Sequence, residues 1–267
     1  MDSLLLKGKR GLVMGVANDK SLAWAIAKMC SNSGAEVILS YQGEVLARRV
    51  EPLAESIGCK TLIMCDVTDQ KSIAAAFDEI GKMFGRIDFV VHAIAFSNKD
   101  ELRGRYIDTS LDNFLMTMDI SCFSFTSVAK HALPLMSEGG SLCTLSYYGA
   151  EKVIPNYNVM GVAKAALEAS VRYIAADLGE YGIRVNAISA GPVRTLAASG
   201  VGDFKIMLSW MEKNAPLRRN ITAEEVGKTA VYLLSDLGSG VTGEVVHVDG
   251  GYHIVGMGLK ENSQNSL

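Results

Sequence analysis

The stretch GLVMGVANDKSLAWAIA, from Gly11 to Ala27, reads as a strand, a glycine turn and a helix in direct succession. Leu12, Val13 and Met14 form a short apolar run suited to a buried strand, and Gly15 falls where that run ends. Beyond the turn, Ala23, Ile26, Ala27 and Cys30 recur at i, i+3, i+4 and i+7, the face of an amphipathic helix. Lacking a Cβ, Gly15 permits a tight turn and a close backbone approach to a pyrophosphate. Ser21 is placed to cap the helix, whose free N–H groups and positive dipole end suit a phosphate. The residues after Gly15 are Val16, Ala17 and Asn18, not a G-x-G-x-x-G run. Taken alone, the turn fits a nucleotide cradle or a merely structural connection equally well.

Outward from this unit the same alternation repeats. The spacing predicts strands over 10–14, 36–40, 60–65, 87–92, 141–146, 184–189 and 244–248. Between them it predicts helices over 72–84, 111–135, 156–178 and 223–234, the last opened by the capping-box pair Thr222 and Glu225. Strands alternating with helices imply an α/β fold: one doubly wound, Rossmann-type domain with a seven-stranded parallel sheet and helices on both faces. The expected domain covers residues 1–258, with a frayed polar tail over 259–267.

With 267 residues, 49% hydrophobic and 21% charged, the chain can bury a large core, which excludes general disorder. A net charge of -3 gives no broad field for nucleic acid. Five cysteines without a C-x-x-C pair and four scattered histidines argue against a disulfide framework and a bound metal. No run has the length of a membrane span or of a signal-peptide core, so a cytoplasmic protein with no membrane partner is expected.

Two more strand ends favour a nucleotide. Asp66 follows the third predicted strand, where its carboxylate can accept from an adenine amino group or cap the next helix; Val67 can cover the ring. Ala93 and Ala95 leave room for a flat cofactor beyond the fourth. The second strand ends at Gln42 with no adjacent Arg or Lys to neutralise a 2′-phosphate, which favours NADH over NADPH.

Tyr157 and Lys164 stand seven residues apart, two turns along one face of the predicted 156–178 helix. A phenol can donate to a developing oxyanion, and a neighbouring ammonium favours that state and holds ribose hydroxyls. The preceding strand ends Ser146-Tyr147-Tyr148, bringing further hydroxyls to the same edge.

On the stretches from Gly15 to Ala23, Asp66-Val67, His92 to Phe96, Tyr147 to Lys164 and Ser189 to Gly200, the chain resembles the short-chain dehydrogenase/reductases. Within them it is similar to the divergent bacterial enoyl-[acyl-carrier-protein] reductase branch, over about residues 3–258. Carbonyl-reducing members place a Tyr four residues before the Lys; here that position is Met160, which cannot donate a proton.

The resemblance implies NADH-dependent reduction of a trans-2-enoyl thioester in fatty acid biosynthesis. Hydride goes to C3, Tyr157 stabilises the enolate, Lys164 orients the ribose and Tyr147 shapes the acyl pocket. It implies cofactor contacts at Gly15, Ser21, Leu22, Gln42, Asp66, Val67, Ala93, Ala95, Lys164, Val193 and Thr195. It implies a substrate pocket of Phe96, Tyr147, Tyr157, Val201, Phe204 and Met207 beneath a lid over about 195–211. Acyl carrier protein would land on Arg194 and Lys205, with Lys213 and Arg218 as lesser candidates. A homotetramer and diphenyl-ether inhibitors are further implications. The alternatives are a 3-ketoacyl or other carbonyl reductase, disfavoured by Met160, and a non-enzymatic dinucleotide sensor.

Overall fold

The computed structural model describes residues 4–195 and 204–258. Seven parallel strands form a single sheet: β1 (Arg10–Met14), β2 (Glu36–Tyr41), β3 (Thr61–Met64), β4 (Phe89–His92), β5 (Gly140–Ser146), β6 (Ile183–Ala190) and β7 (Val245–Val248). Their spatial order is β3-β2-β1-β4-β5-β6-β7. Chain direction across the sheet therefore reverses between β1 and β4, and open α/β sheets bind ligands in the crevice beyond the carboxyl ends at such a switch point.

Helices cover both faces, which is why the strands read as continuous apolar runs instead of alternating ones. Leu12, Ile38 and Val90 face α3 (Gln70–Phe84), α5 (Ser124–Ala132) and α6 (Asn158–Leu178). Val13, Leu39 and Val91 face the other way, onto α1 (Leu22–Asn32), α2 (Gly43–Ser56) and α8 (Ala223–Leu234). The capping box at Thr222 and Glu225 is present in full.

Two elements depart from the sequence pattern. The predicted 111–135 helix is α4 (Leu111–Met118), a π turn over Asp119–Phe123, α5, and a 3-10 turn over Leu133–Leu135 that accommodates Pro134. The predicted 156–178 helix starts two residues later. Asn156 takes a left-handed φ of 60°, which asparagine tolerates, and leaves Tyr157 at the N-cap position of α6. The remaining helix, α7 (Phe204–Asn214), lies in the segment expected to act as a lid.

Candidate active site

The ends of β1 and β4 meet without room for a side chain. Gly15 has φ 99°, open to glycine and strained for other residues. Ser21 does occupy the N-cap position of α1, yet its hydroxyl does not cap the helix. It accepts instead from the N–H groups of Ala17 and Asn18, both at 3.1 Å, because the loop after Gly15 folds back over it. The first turn of α1 thus keeps no side-chain acceptor of its own, the condition under which a helix N-terminus takes an external anion. Leu22, the first residue of α1, is half-buried.

At the β2 and β3 ends, Gln42 donates to the Asp66 carboxylate, which also accepts from the N–H and hydroxyl of Thr68 at 2.9 and 2.8 Å. Burial would raise this carboxyl, but these bonds outweigh it and hold Asp66 below its ordinary value. The N-cap of α3 is Asp69, not Asp66, since Asp69 accepts from the N–H of Lys71. Val67 is buried in the core beside Ile73 and Phe77.

Beyond β4, Ala93 is half-buried while Ala95 and Phe96 are exposed. The backbone of Phe96 is gripped at both ends: its N–H donates to Ser121 Oγ (3.0 Å) and its carbonyl accepts from the same hydroxyl (3.1 Å). His92 is fully buried between Thr144 Oγ1 (3.2 Å) and Ser124 Oγ (2.9 Å). Burial and then the Lys164 charge press it down to about 3, so its ring is neutral. Sequence reasoning missed Ser121, Ser124 and Thr144. A serine inside an apolar helical run carries no signal of its partner, and the π turn that aims Ser121 is invisible to a 3.6 period.

The end of β5 delivers Ser146 and Tyr147 against α6. Lys164 is 5% exposed, and its Nζ donates to the carbonyl of Leu145 at 2.7 Å. Burial pushes the ammonium down to about 8, although Cys122 and Glu168 favour its charge. The Tyr147 and Tyr157 rings meet edge to face at 4.9 Å. Both phenols are pushed well above their ordinary value, chiefly by burial, so both stay protonated donors. The packing is close enough that a Cβ on Gly161 would stand 2.7 Å from the carbonyl oxygen of Gly149. Met160 turns into a small core with Leu102 and Val159, against which Tyr157 also packs.

The chain that carries this switch point, uncapped helix and Tyr–Lys pair matches a family model described as enoyl-(acyl carrier protein) reductase over residues 15–253. The chain belongs to that family. It is 65% identical to enoyl-[acyl-carrier-protein] reductase [NADH] 1 of Rhizobium meliloti, over 95% of this chain and 93% of the relative. The solved enoyl-(acyl-carrier-protein) reductase of Anaplasma phagocytophilum, in complex with NAD, superposes with TM-score 0.93 at 62% identity, covering 96% of this chain and 98% of that one. The Bacillus cereus enoyl-acyl carrier protein reductase, with NADP+ and indole naphthyridinone, gives TM-score 0.93 at 55% identity, covering 95% and 99%.

In this member of the enoyl reductase family, Val193 and Thr195 follow β6 half-buried, and Arg194 between them is exposed. Phe204 and Met207 lie half-buried on α7. Val201, with residues 196–203 of the expected lid and the 259–267 tail, lies outside the described residues. Lys205, Lys213 and Arg218 are exposed. No described helix is long and apolar enough to cross a membrane.

Proposed function

We propose that this chain uses NADH to reduce the trans-2 double bond of enoyl thioesters on acyl carrier protein, a step of fatty acid synthesis. One observation carries the reading: a buried ammonium and two protonated phenols converge at the carboxyl end of β5, while Met160 withholds the donor that carbonyl reduction needs.

The residues fit the dinucleotide. The uncapped N-terminus of α1 suits its pyrophosphate, Gly15 and Leu22 the turn beside it, and the joined Gln42 and Asp66 its adenosine. Ala93 and Ala95 leave room for the rings, and Val193 and Thr195 flank the nicotinamide end. Val67 contributes from the core beneath. When bound, NADH supplies the hydride that reaches C3 of the substrate.

Charge then gathers on the thioester oxygen, where the Tyr157 phenol donates a hydrogen bond to the enolate, and a proton taken up at C2 completes the saturation. Lys164 holds ribose hydroxyls and adds positive potential. Tyr147, Phe96, Phe204, Met207 and Val201 shape the acyl pocket, and the 195–211 segment closes over it, a greasy lid that also suits diphenyl-ether inhibitors. The acidic carrier lands on Arg194 and Lys205. A homotetramer would cover Leu111 and Leu115 of α4, Phe123 of the π turn and Tyr173 of α6, all more than half exposed here. Residues 1–258 work as one domain, in the cytoplasm.

The test follows NADH absorbance with crotonyl and longer 2-enoyl thioesters, then with a 3-ketoacyl thioester. Oxidation with the enoyl substrates is expected; oxidation with the 3-ketoacyl thioester alone would overturn the reading. For the docking site, reversing the charge at Lys205 should raise KM for the carrier-linked substrate and spare a coenzyme A analogue. Equal effects on both would remove Lys205 from the landing surface.

A further inference from the structure

Glu168 lies one turn beyond Lys164 on α6, and both side chains run to the same strand end. The residue is 8% exposed, and its Oε1 accepts from Ser146 Oγ at 2.5 Å. Three consecutive residues at the end of β5 are therefore gripped in turn. Lys164 holds the carbonyl of Leu145, Glu168 holds the hydroxyl of Ser146, and the Tyr157 ring meets the Tyr147 ring.

A glutamine could accept from Ser146 without the desolvation cost of a buried carboxylate. What glutamine lacks is charge. The titratable and charged groups facing Glu168 are Lys164, Tyr157, Arg172 of α6, His247 of β7 and Glu151 of the segment after β5. His247 Nε2 is engaged by Glu151 Oε1 at 2.7 Å, and Arg172 Nη1 donates to the backbone carbonyl of Glu168, not to its carboxylate. Lys164 in turn faces Cys122 of the π turn and the neutral imidazole of His92 on β4.

We propose that Glu168 is the positioning residue of Lys164: its carboxylate sustains the buried ammonium and, through Ser146, fixes the strand end that carries Tyr147. This rests on the assignment of Lys164 to the reductase site made above. The charge of Glu168 matters because burial already brings Lys164 down to about 8, close to working pH. Removing an opposing charge lowers an ammonium pKa, by about one unit or more where the two groups are close. The Glu168 carboxyl is itself raised by burial, against which the Ser146 hydroxyl stabilises the charged form.

The test measures kcat/KM for NADH against pH, which reports free-enzyme ionisations, in wild type and in the E168Q, S146A and K164M variants. Glu168→Gln keeps the shape and the acceptor and loses the charge. Its alkaline limb should move down by about one pH unit, a roughly tenfold loss on the alkaline side with near-wild-type values on the acid side. Ser146→Ala, which keeps the charge and loses the bond, should lower kcat/KM by one factor at every pH. Thermal melting of each variant confirms that it is folded. An E168Q profile that superimposes on wild type, with K164M inactive, sinks the role of Glu168 alone. A fully active K164M sinks the assignment of Lys164 as well.

Discussion

A β-carbon on Gly15 would stand 2.1 Å from the carbonyl oxygen of Ala93, and the two residues end the strands on either side of the switch point. That gap is closed by backbone, which has no rotamer through which to yield. Gly15→Ala is therefore expected to separate β1 from β4 at the site and to strain a φ of 99° as well. The variant should lose at least about 2 kcal/mol of stability in urea titration and bind NADH too weakly for fluorescence detection. Wild-type NADH affinity in this variant would show that the turn is not part of the cradle.

Much of this frame was legible in the sequence. Strands buried on both faces must be apolar throughout, so β1, β2 and β4 announced themselves, as did the Thr222 capping box. What escaped was conformation that leaves no periodic mark. Asn156 places Tyr157 outside the helix through one left-handed residue, and the π turn at Asp119–Phe123 hides within an unbroken apolar pattern. Ser21 had the right residue type for a helix cap, but its hydroxyl serves the loop. Asp66 and Asp69 are three residues apart and chemically alike, and only the fold of the turn decides which one caps α3.

Tyr157→Phe keeps the edge-to-face contact with Tyr147 and removes the hydroxyl alone. If that phenol donates to the enolate oxygen, kcat should fall about 10²-fold or more while NADH affinity holds. A loss confined to KM would recast Tyr157 as a wall of the acyl pocket.

Gln42 and Asp66 meet where the adenosine ribose should lie, and neither can neutralise a 2′-phosphate. Gln42→Arg adds the missing cation and is expected to shift the ratio of kcat/KM for NADPH over NADH upward by about tenfold or more. An unchanged ratio would place the ribose elsewhere.

His92 should make the fold acid-sensitive. Its imidazole is held at about 3 in the native state against an ordinary 6.5, so the unfolded chain binds the extra proton. Its stabilising effect is complete above 6.5 and drains away as pH falls towards 3. The full span is on the order of 5 kcal/mol. Guanidine titrations between about pH 7 and pH 4 should find stability dropping, and His92→Gln should flatten that slope. An equal slope in the variant would assign the acid sensitivity to carboxylates instead.

Lys164 presents the opposite case, a residue whose removal should help the fold and end the chemistry. Its ammonium ionises near 8 when folded and at 10.5 when free, so folding favours the neutral amine. Native stability then rises as pH climbs from about 8 to 10.5, and below 8 the buried charge costs about 3 kcal/mol. Lys164→Met fills the same space without charge; it gives up one bond to the Leu145 carbonyl, about 1 kcal/mol, and the attraction of Glu168, which the net cost of about 3 kcal/mol already includes. The variant should melt higher than wild type at neutral pH while NADH oxidation with enoyl thioesters disappears. A variant that melts lower would mean that the ammonium is stabilised by its surroundings, with its charge fully compensated in the apo protein.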